Sequence, residues 1–156
     1  MNTNLLDRMK LLFRKDKELY FQIYDILGFY PHNIELYQIA LAHRSKMYKN
    51  HSGRAVNNER LEYLGDAVLE TIVSDIVFKK FPRRREGFLT NVRSKVVQRS
   101  TLNLLAEKMG LSKLIRLNTR PTTRRNNIGG NAFEAFIGAV YLDRGFKKCY
   151  EFVDKR

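Results

Sequence analysis

At 156 residues the chain is long enough for one domain with a buried core and too short for two. A lone cysteine, Cys149, excludes a disulfide framework or a Cys-rich zinc site; no apolar run approaches the roughly 18–20 residues of a membrane helix, and the N-terminus is too broken by charge for a secretory signal. With 29 Lys and Arg against 16 Asp and Glu the net charge is +13, so the expected partner is a polyanion met in the cytoplasm, away from membranes.

In chain order, residues 1–19 read as an N-terminal helical extension and residues 5–28 as one helix, broken by Phe29 to Asn33. A short helix is expected over 35–45, ending near Ser45, and the polar stretch 46–57 as a loop. Asn57 and Asn58 can cap a long helix from about 59 to 80, stopped before Pro82, with Leu61, Leu64, Val68, Ile72 and Ile76 on its apolar stripe. After a basic connector from Phe81 to Gly87, Thr90 is expected to cap a helix through Gln98. Ser100 should cap another through Met109, closed by Gly110. Residues 116–130 read as a basic loop. From Asn131 a last apolar helix follows through Phe133, Phe136, Ile137, Val140 and Tyr141, and Gly145 precedes a final helical start. No strand of period two appears, so the expected fold class is all-α.

The charge is uneven. Residues 76–125 carry fourteen basic side chains against Glu86 and Glu107 alone, an excess of twelve, while the rest of the chain is nearly balanced. Solubility does not require such self-repulsion, and phosphate binding explains it better. Arg93 and Lys95, on the helix that Thr90 opens, are the first candidates for the nucleic-acid backbone, with the 116–125 loop second.

Against that background the acidic residues of two helices stand out. Glu59, Glu62 and Asp66 fall at i, i+3 and i+7 on one helical face, and Asn131 and Glu134 share a face of the later helix. Spacing alone leaves two readings open. One is a solvated face neutralised by nearby arginines; the other is an oxygen-ligand cage for a hard divalent cation, built from two packed helices.

The residues themselves are more specific. Asn58 to Leu69 (NERLEYLGDAVL) resembles the signature of the ribonuclease III family, and Ile39 to Ser45 resembles that family's Leu-Thr-His-Arg-Ser segment upstream. Phe81-Pro82 through Glu86-Gly87, Leu89 to Arg93, and Asn131 to Asp143 follow in family order, so the resemblance covers roughly residues 20–155. It implies an all-α endonuclease domain of the bacterial type, paired in a two-fold dimer whose valley holds double-stranded RNA. Each strand would be hydrolysed to 5′-phosphate and 3′-hydroxyl ends with a short 3′ overhang, in processing of ribosomal and other RNA.

Carried over by position, the resemblance makes Glu62, Asp66, Asn131 and Glu134 the metal ligands. Glu59 joins Glu62, Asp66 and Glu134 in the catalytic set, and Glu86 supports the site from nearby. The implied ion is Mg2+, with Mn2+ as a substitute, and no small-molecule cofactor is expected. Thr90, Arg93 and Lys95 would touch RNA. Tyr63 would be a knob inserted into the partner subunit, giving a homodimer.

Asn131 departs from the family's usual Asp. Its carbonyl oxygen remains a magnesium ligand, but one negative charge is lost. The alternative reading is therefore a non-catalytic module for double-stranded-RNA binding or dimerisation; the retained Glu59, Glu62, Asp66 and Glu134 favour an active enzyme. His43 is expected to be a structural hydrogen-bonder. Gly65 and Gly138, costly inside helices, are expected to mark close helix packing near the site. Family members commonly continue into a double-stranded-RNA-binding domain, which is expected to lie outside this chain.

Overall fold

The computed structural model describes residues 17–118 and 128–156. Most of the expected N-terminal extension, the first part of the expected 5–28 helix, and residues 119–127 of the basic loop lie outside the described residues. The chain divides into two units, one ending at Pro31 and one running from His32 to Arg156. In the first, α1 (Lys17–Leu27) buries Tyr20, Ile23, Ile26 and Leu27 at helical spacing. Tyr30 stacks on Tyr24 with 4.4 Å between ring centres, and the Tyr20 hydroxyl donates to the Pro31 carbonyl at 2.9 Å.

The second unit holds α2 (Ile34–Ala40), a hairpin of β1 (Tyr48–Lys49) and β2 (Ala55–Val56), α3 (Glu59–Lys80), α4 (Glu86–Val97) and α5 (Arg99–Lys108). A 3₁₀ turn (Leu111–Lys113) and α6 (Ile128–Asp154) complete it. Asn33 caps α2, its carboxamide oxygen accepting from the Glu35 amide. The helix stops at Ala40, short of the expected Ser45. Arg116 donates its backbone N–H to the Leu41 carbonyl at 2.8 Å, and Ala42 bridges to Arg116, so a distant strand-like contact ends the helix.

The segment expected as a loop contains the hairpin, with Tyr48 opposite Val56 and Lys49 opposite Ala55. Two residues a side are too few to show an alternating pattern. Otherwise the described residues are all-α in their regular structure, as expected. α3 keeps its expected bounds; its N-cap residue Asn58 makes no side-chain cap bond, while the preceding Asn57 accepts from the Glu59 amide at 3.1 Å. The basic connector is shorter than expected because Glu86 and Gly87 already belong to α4. Thr90 thus sits a full turn inside the helix and caps nothing; the start at Arg85 has no side-chain cap. Gln98, a single extended residue (φ −62°, ψ 146°), separates α4 from α5 and leaves Ser100 within the first turn of α5.

α3 and α6 form the centre. α3 buries Leu61, Gly65, Val68, Leu69, Ile72, Val73 and Val77, and α6 buries Phe133, Phe136, Ile137 and Val140. Leu64, Ile76 and Tyr141, expected in the core, are only half-buried. The stripe on α3 is turned towards Gly65, where the two helices meet. A β-carbon at Gly65 would fall onto the Glu134 carbonyl and lie 2.8 Å from the Gly138 amide nitrogen; one at Gly138 would strike the Leu61 carbonyl. Two glycines thus let two backbones touch, at a helix-propensity cost of roughly 1 kcal/mol each.

At Gly145 (φ 76°, ψ 173°) α6 breaks in two, a conformation that side-chain-bearing residues rarely adopt. Just before it, the Asp143 carboxylate accepts from the His32 and Asn33 amides at 3.0 and 2.7 Å and from the Tyr37 hydroxyl at 2.9 Å. These bonds tie the start of α2 to α6. Tyr37 in turn meets Phe136 edge to face, ring centres 5.3 Å apart.

Candidate active site

The Gly65–Gly138 crossing sets where the acidic side chains stand. Glu62 and Asp66 flank Gly65 on α3, while Glu134 and Asn131 lie one and two turns ahead of Gly138 on α6. The Asn131 side chain lines the same cleft as Glu62 and favours the charged form of its carboxyl. Burial, then the like charges of Asp66 and Glu62, push the Glu134 carboxyl up to about 7. Burial also raises Glu62, opposed by Asn131, Arg99 and Arg44. The structure therefore brings Glu62, Asp66, Asn131 and Glu134 into one electrostatic neighbourhood, although they come from segments about 70 residues apart.

Glu59, Glu62 and Asn131 line a cleft of about 530 Å³ with His43, Arg44 and Arg99. Glu59 stands at its outer rim, accepting from the Asn57 side-chain amide at 2.9 Å and facing Arg44 at 4.0 Å. His43 acts as a structural hydrogen-bonder: its Nδ1 accepts from the Ser45 backbone N–H at 3.2 Å, and burial followed by the Arg44 charge lowers its pKa. Glu86 accepts from the Thr90 hydroxyl at 2.7 Å on its own helix, and it is not among the charges that shift Glu62 or Glu134.

Two residues that act on the centre were not among the expected ones. Glu70 continues the acidic face one turn beyond Asp66 and raises Glu134 further; extending the i+4 spacing would have found it. Arg99 opens α5 and lowers both Glu62 and Glu134, a placement that depends on tertiary packing and has no local sequence mark.

Three carboxylates and an amide carbonyl are a donor set suited to a hard divalent ion such as magnesium. Their mutual repulsion, visible at Glu134, is what a cation would relieve. Among the described residues no three His, Cys, Asp or Glu side chains stand close enough to grip an ion directly. Magnesium retains waters that can span the distance between such ligands.

The elevated Glu134 pKa carries a sign for stability. Between its ordinary 4.5 and about 7 the folded state holds a proton that the unfolded state has released, so in EDTA stability falls as pH rises through that window. Thermal melts from about pH 5 to pH 8 should show the decline, and Glu134→Gln should flatten it. An equal slope in the variant would contradict the assignment.

The expected RNA contacts do not form a single patch. Thr90 and Arg93 follow Glu86 at i+4 and i+7 on one face of α4, whereas Lys95 lies roughly 200° further round. Arg93 leans back to donate to the Ser74 hydroxyl of α3 at 3.2 Å; Lys95 is exposed. Arg116, from the second candidate stretch, packs its guanidinium over Tyr48, 5.7 Å from the ring centre. Tyr63, on α3 beside Glu62, is 83% exposed.

The fold is that of ribonuclease III nuclease domains. The nuclease domain of ribonuclease III from Campylobacter jejuni superposes with a TM-score of 0.74 at 29% identity, over 86% of this chain and 92% of that one. Dicer from Pichia stipitis gives 0.62 at 28% identity, over 81% of this chain and 55% of that one. The family model described as Ribonuclease-III-like matches residues 33–156, and the chain belongs to that family. Ribonuclease 3 of Bacteroides thetaiotaomicron is 56% identical over all 156 residues, which make up 50% of its length. The chain thus spans about half the length of such curated relatives. Among the described residues no helix is long and apolar enough to cross a membrane.

Proposed function

We propose that this chain is the catalytic part of a divalent-metal-dependent endoribonuclease that cuts double-stranded RNA, acting in the cytoplasm on ribosomal precursors and other structured RNA. The observation that carries the reading is the convergence of Glu62, Asp66, Asn131 and Glu134 across the Gly65–Gly138 crossing, in a domain whose charge excess lies in residues 76–125. Those four residues would hold Mg2+, or Mn2+ in its place. When bound, the ion supplies water activation and neutralisation of charge on the attacked phosphate.

The chain's own residues prepare that chemistry. Glu134, raised by burial and its acidic neighbours, would release its proton on taking a cation, and Asp66 would add a second anionic oxygen from α3. Asn131 favours the charged form of Glu62, which fits its amide N–H facing that carboxyl and its carbonyl oxygen serving as a ligand. This supports the catalytic reading over the non-catalytic alternative, since what Asn131 lacks is a charge and not a donor atom. Glu59, held by Asn57 and facing Arg44, closes the outer rim of the cleft. Glu86 orders the start of α4 through Thr90, and Thr90, Arg93 and Lys95 are the proposed backbone contacts.

The Campylobacter jejuni nuclease domain is described as having a region involved in dimer formation. We carry that over as a two-fold dimer of this chain, with the exposed Tyr63 seated in the partner subunit. The product ends test the reaction. Fragments of a fully paired RNA should accept a 5′ label from a polynucleotide kinase only after phosphatase treatment. Efficient labelling without phosphatase would mean a 5′-hydroxyl product and a different mechanism.

A further inference from the structure

The start of α6 is held from outside its own helix. Asn103, on α5, accepts from the Gly130 backbone N–H through its side-chain oxygen at 2.6 Å. That N–H lies in the first turn of α6, among the donors for which a helix offers no carbonyl of its own. Asparagine is a strong partner for such groups, but ordinarily it sits at the head of the same helix. Here it reaches across from 27 residues away. The packing is arranged for that reach. Leu102 and Ala106, buried on either side of Asn103, hold α5 against α6. A β-carbon at Gly129 would stand 3.2 Å from the Asn103 Oδ1 and 3.5 Å from the Ala106 Cβ. One at Gly130 would stand 3.3 Å from the same oxygen and 3.5 Å from the Leu102 Cβ. The two glycines thus leave room for the carboxamide to close on the backbone. They also weaken the turn: glycine is the poorest helix former after proline, and two of the three helical residues ahead of Asn131 are glycine.

We propose that Asn103 is a positioning residue for the candidate centre: by capping α6 from α5 it keeps this weak first turn wound, and so keeps Asn131 in the cleft it lines with Glu59 and Glu62. Without that acceptor the helix frays past Gly130 and Asn131 leaves its place for part of the time. The proposal rests on the reading that Glu62, Asp66, Asn131 and Glu134 bind a divalent ion, although the cap itself involves no metal.

The test uses the 156-residue chain and its Asn103→Ala, Asn103→Asp and Glu134→Gln variants. In metal-free protein, the Gly130 amide of Asn103→Ala should exchange with deuterium roughly five- to thirtyfold faster than in the parent, the factor that loss of a cap corresponds to. Asn103→Asp keeps an oxygen at the same reach and should stay within about threefold of the parent. Calorimetry with MgCl2 should show Asn103→Ala binding roughly three- to tenfold more weakly, because only molecules with the turn wound present Asn131. Asn103→Asp should bind no more weakly than the parent. A residue that merely adds stability would lower the melting temperature of Asn103→Ala and leave the magnesium affinity of the folded protein alone. Unchanged Gly130 exchange or unchanged magnesium affinity in Asn103→Ala overturns the proposal, as does an Asn103→Asp variant no better than Asn103→Ala. Magnesium binding by Glu134→Gln equal to the parent's overturns the metal site and with it the role given to Asn131; the metal-free exchange shows separately whether the cap holds.

Discussion

Glu134→Ala should lower the single-turnover rate of duplex RNA cleavage by at least about a thousandfold, while duplex binding persists. Metal-assisted stabilisation of a phosphoryl transition state amounts to several kcal/mol, and Glu134 is the carboxylate whose surroundings best fit that proposed role. It is half-buried, faces Asp66 and Glu62, and is raised to about 7 in the absence of a cation. Its removal would take away a proposed ion ligand and leave the basic helices in place. Asn131→Asp is the complementary change. It restores a charge at a position that already offers an oxygen, so cleavage should remain intact and the half-saturating magnesium concentration should fall by a few-fold to about tenfold. Normal cleavage by Glu134→Ala would show that the catalytic centre lies elsewhere.

Gly65→Ala should be the most damaging small substitution in the unit. The added methyl group meets the Glu134 carbonyl and the Gly138 amide, which are backbone atoms and cannot rotate aside. Overpacking of this kind costs about 3 kcal/mol or more, a fall in melting temperature of roughly 10 °C. Relief by parting α3 from α6 would also separate Asp66 from Glu134, so the folded fraction should lose cleavage as well. Gly87→Ala is the control. No atom lies within 4 Å of a β-carbon there, and the added helix propensity should be neutral or mildly stabilising. Equal melting temperatures for Gly65→Ala and the parent would refute the close-contact account.

The acidic faces were legible in the sequence because a helix face is a local property. Glu59, Glu62 and Asp66 follow the turn of α3, and Asn131 and Glu134 follow that of α6. The bounds of α3 were legible for the same reason, between the Asn57–Asn58 pair and Pro82. The meeting of the two faces was not readable from either one; its only local trace is the pair of helix-interior glycines. Where the reading failed, the controlling contact was distant or lacked a side-chain signal. The end of α2 is decided by Arg116, far along the chain. α4 starts without a side-chain cap, which made Thr90 seem the better start. Arg99 reaches the carboxylates only because Gln98 turns the chain between two helices. The resemblance to ribonuclease III named the proposed ligand residues, and the structure adds the electrostatic relation among them and the two residues, Glu70 and Arg99, that modify it.

The most direct test of the central claim, that these oxygen donors form a metal-dependent phosphodiesterase centre, is cleavage of a fully paired RNA by this chain with magnesium and with EDTA. The account predicts cutting in magnesium, none in EDTA, and recovery when magnesium is added back in excess. Cutting that continues in EDTA, or a chain that binds the duplex in magnesium and never cuts it, would contradict the account.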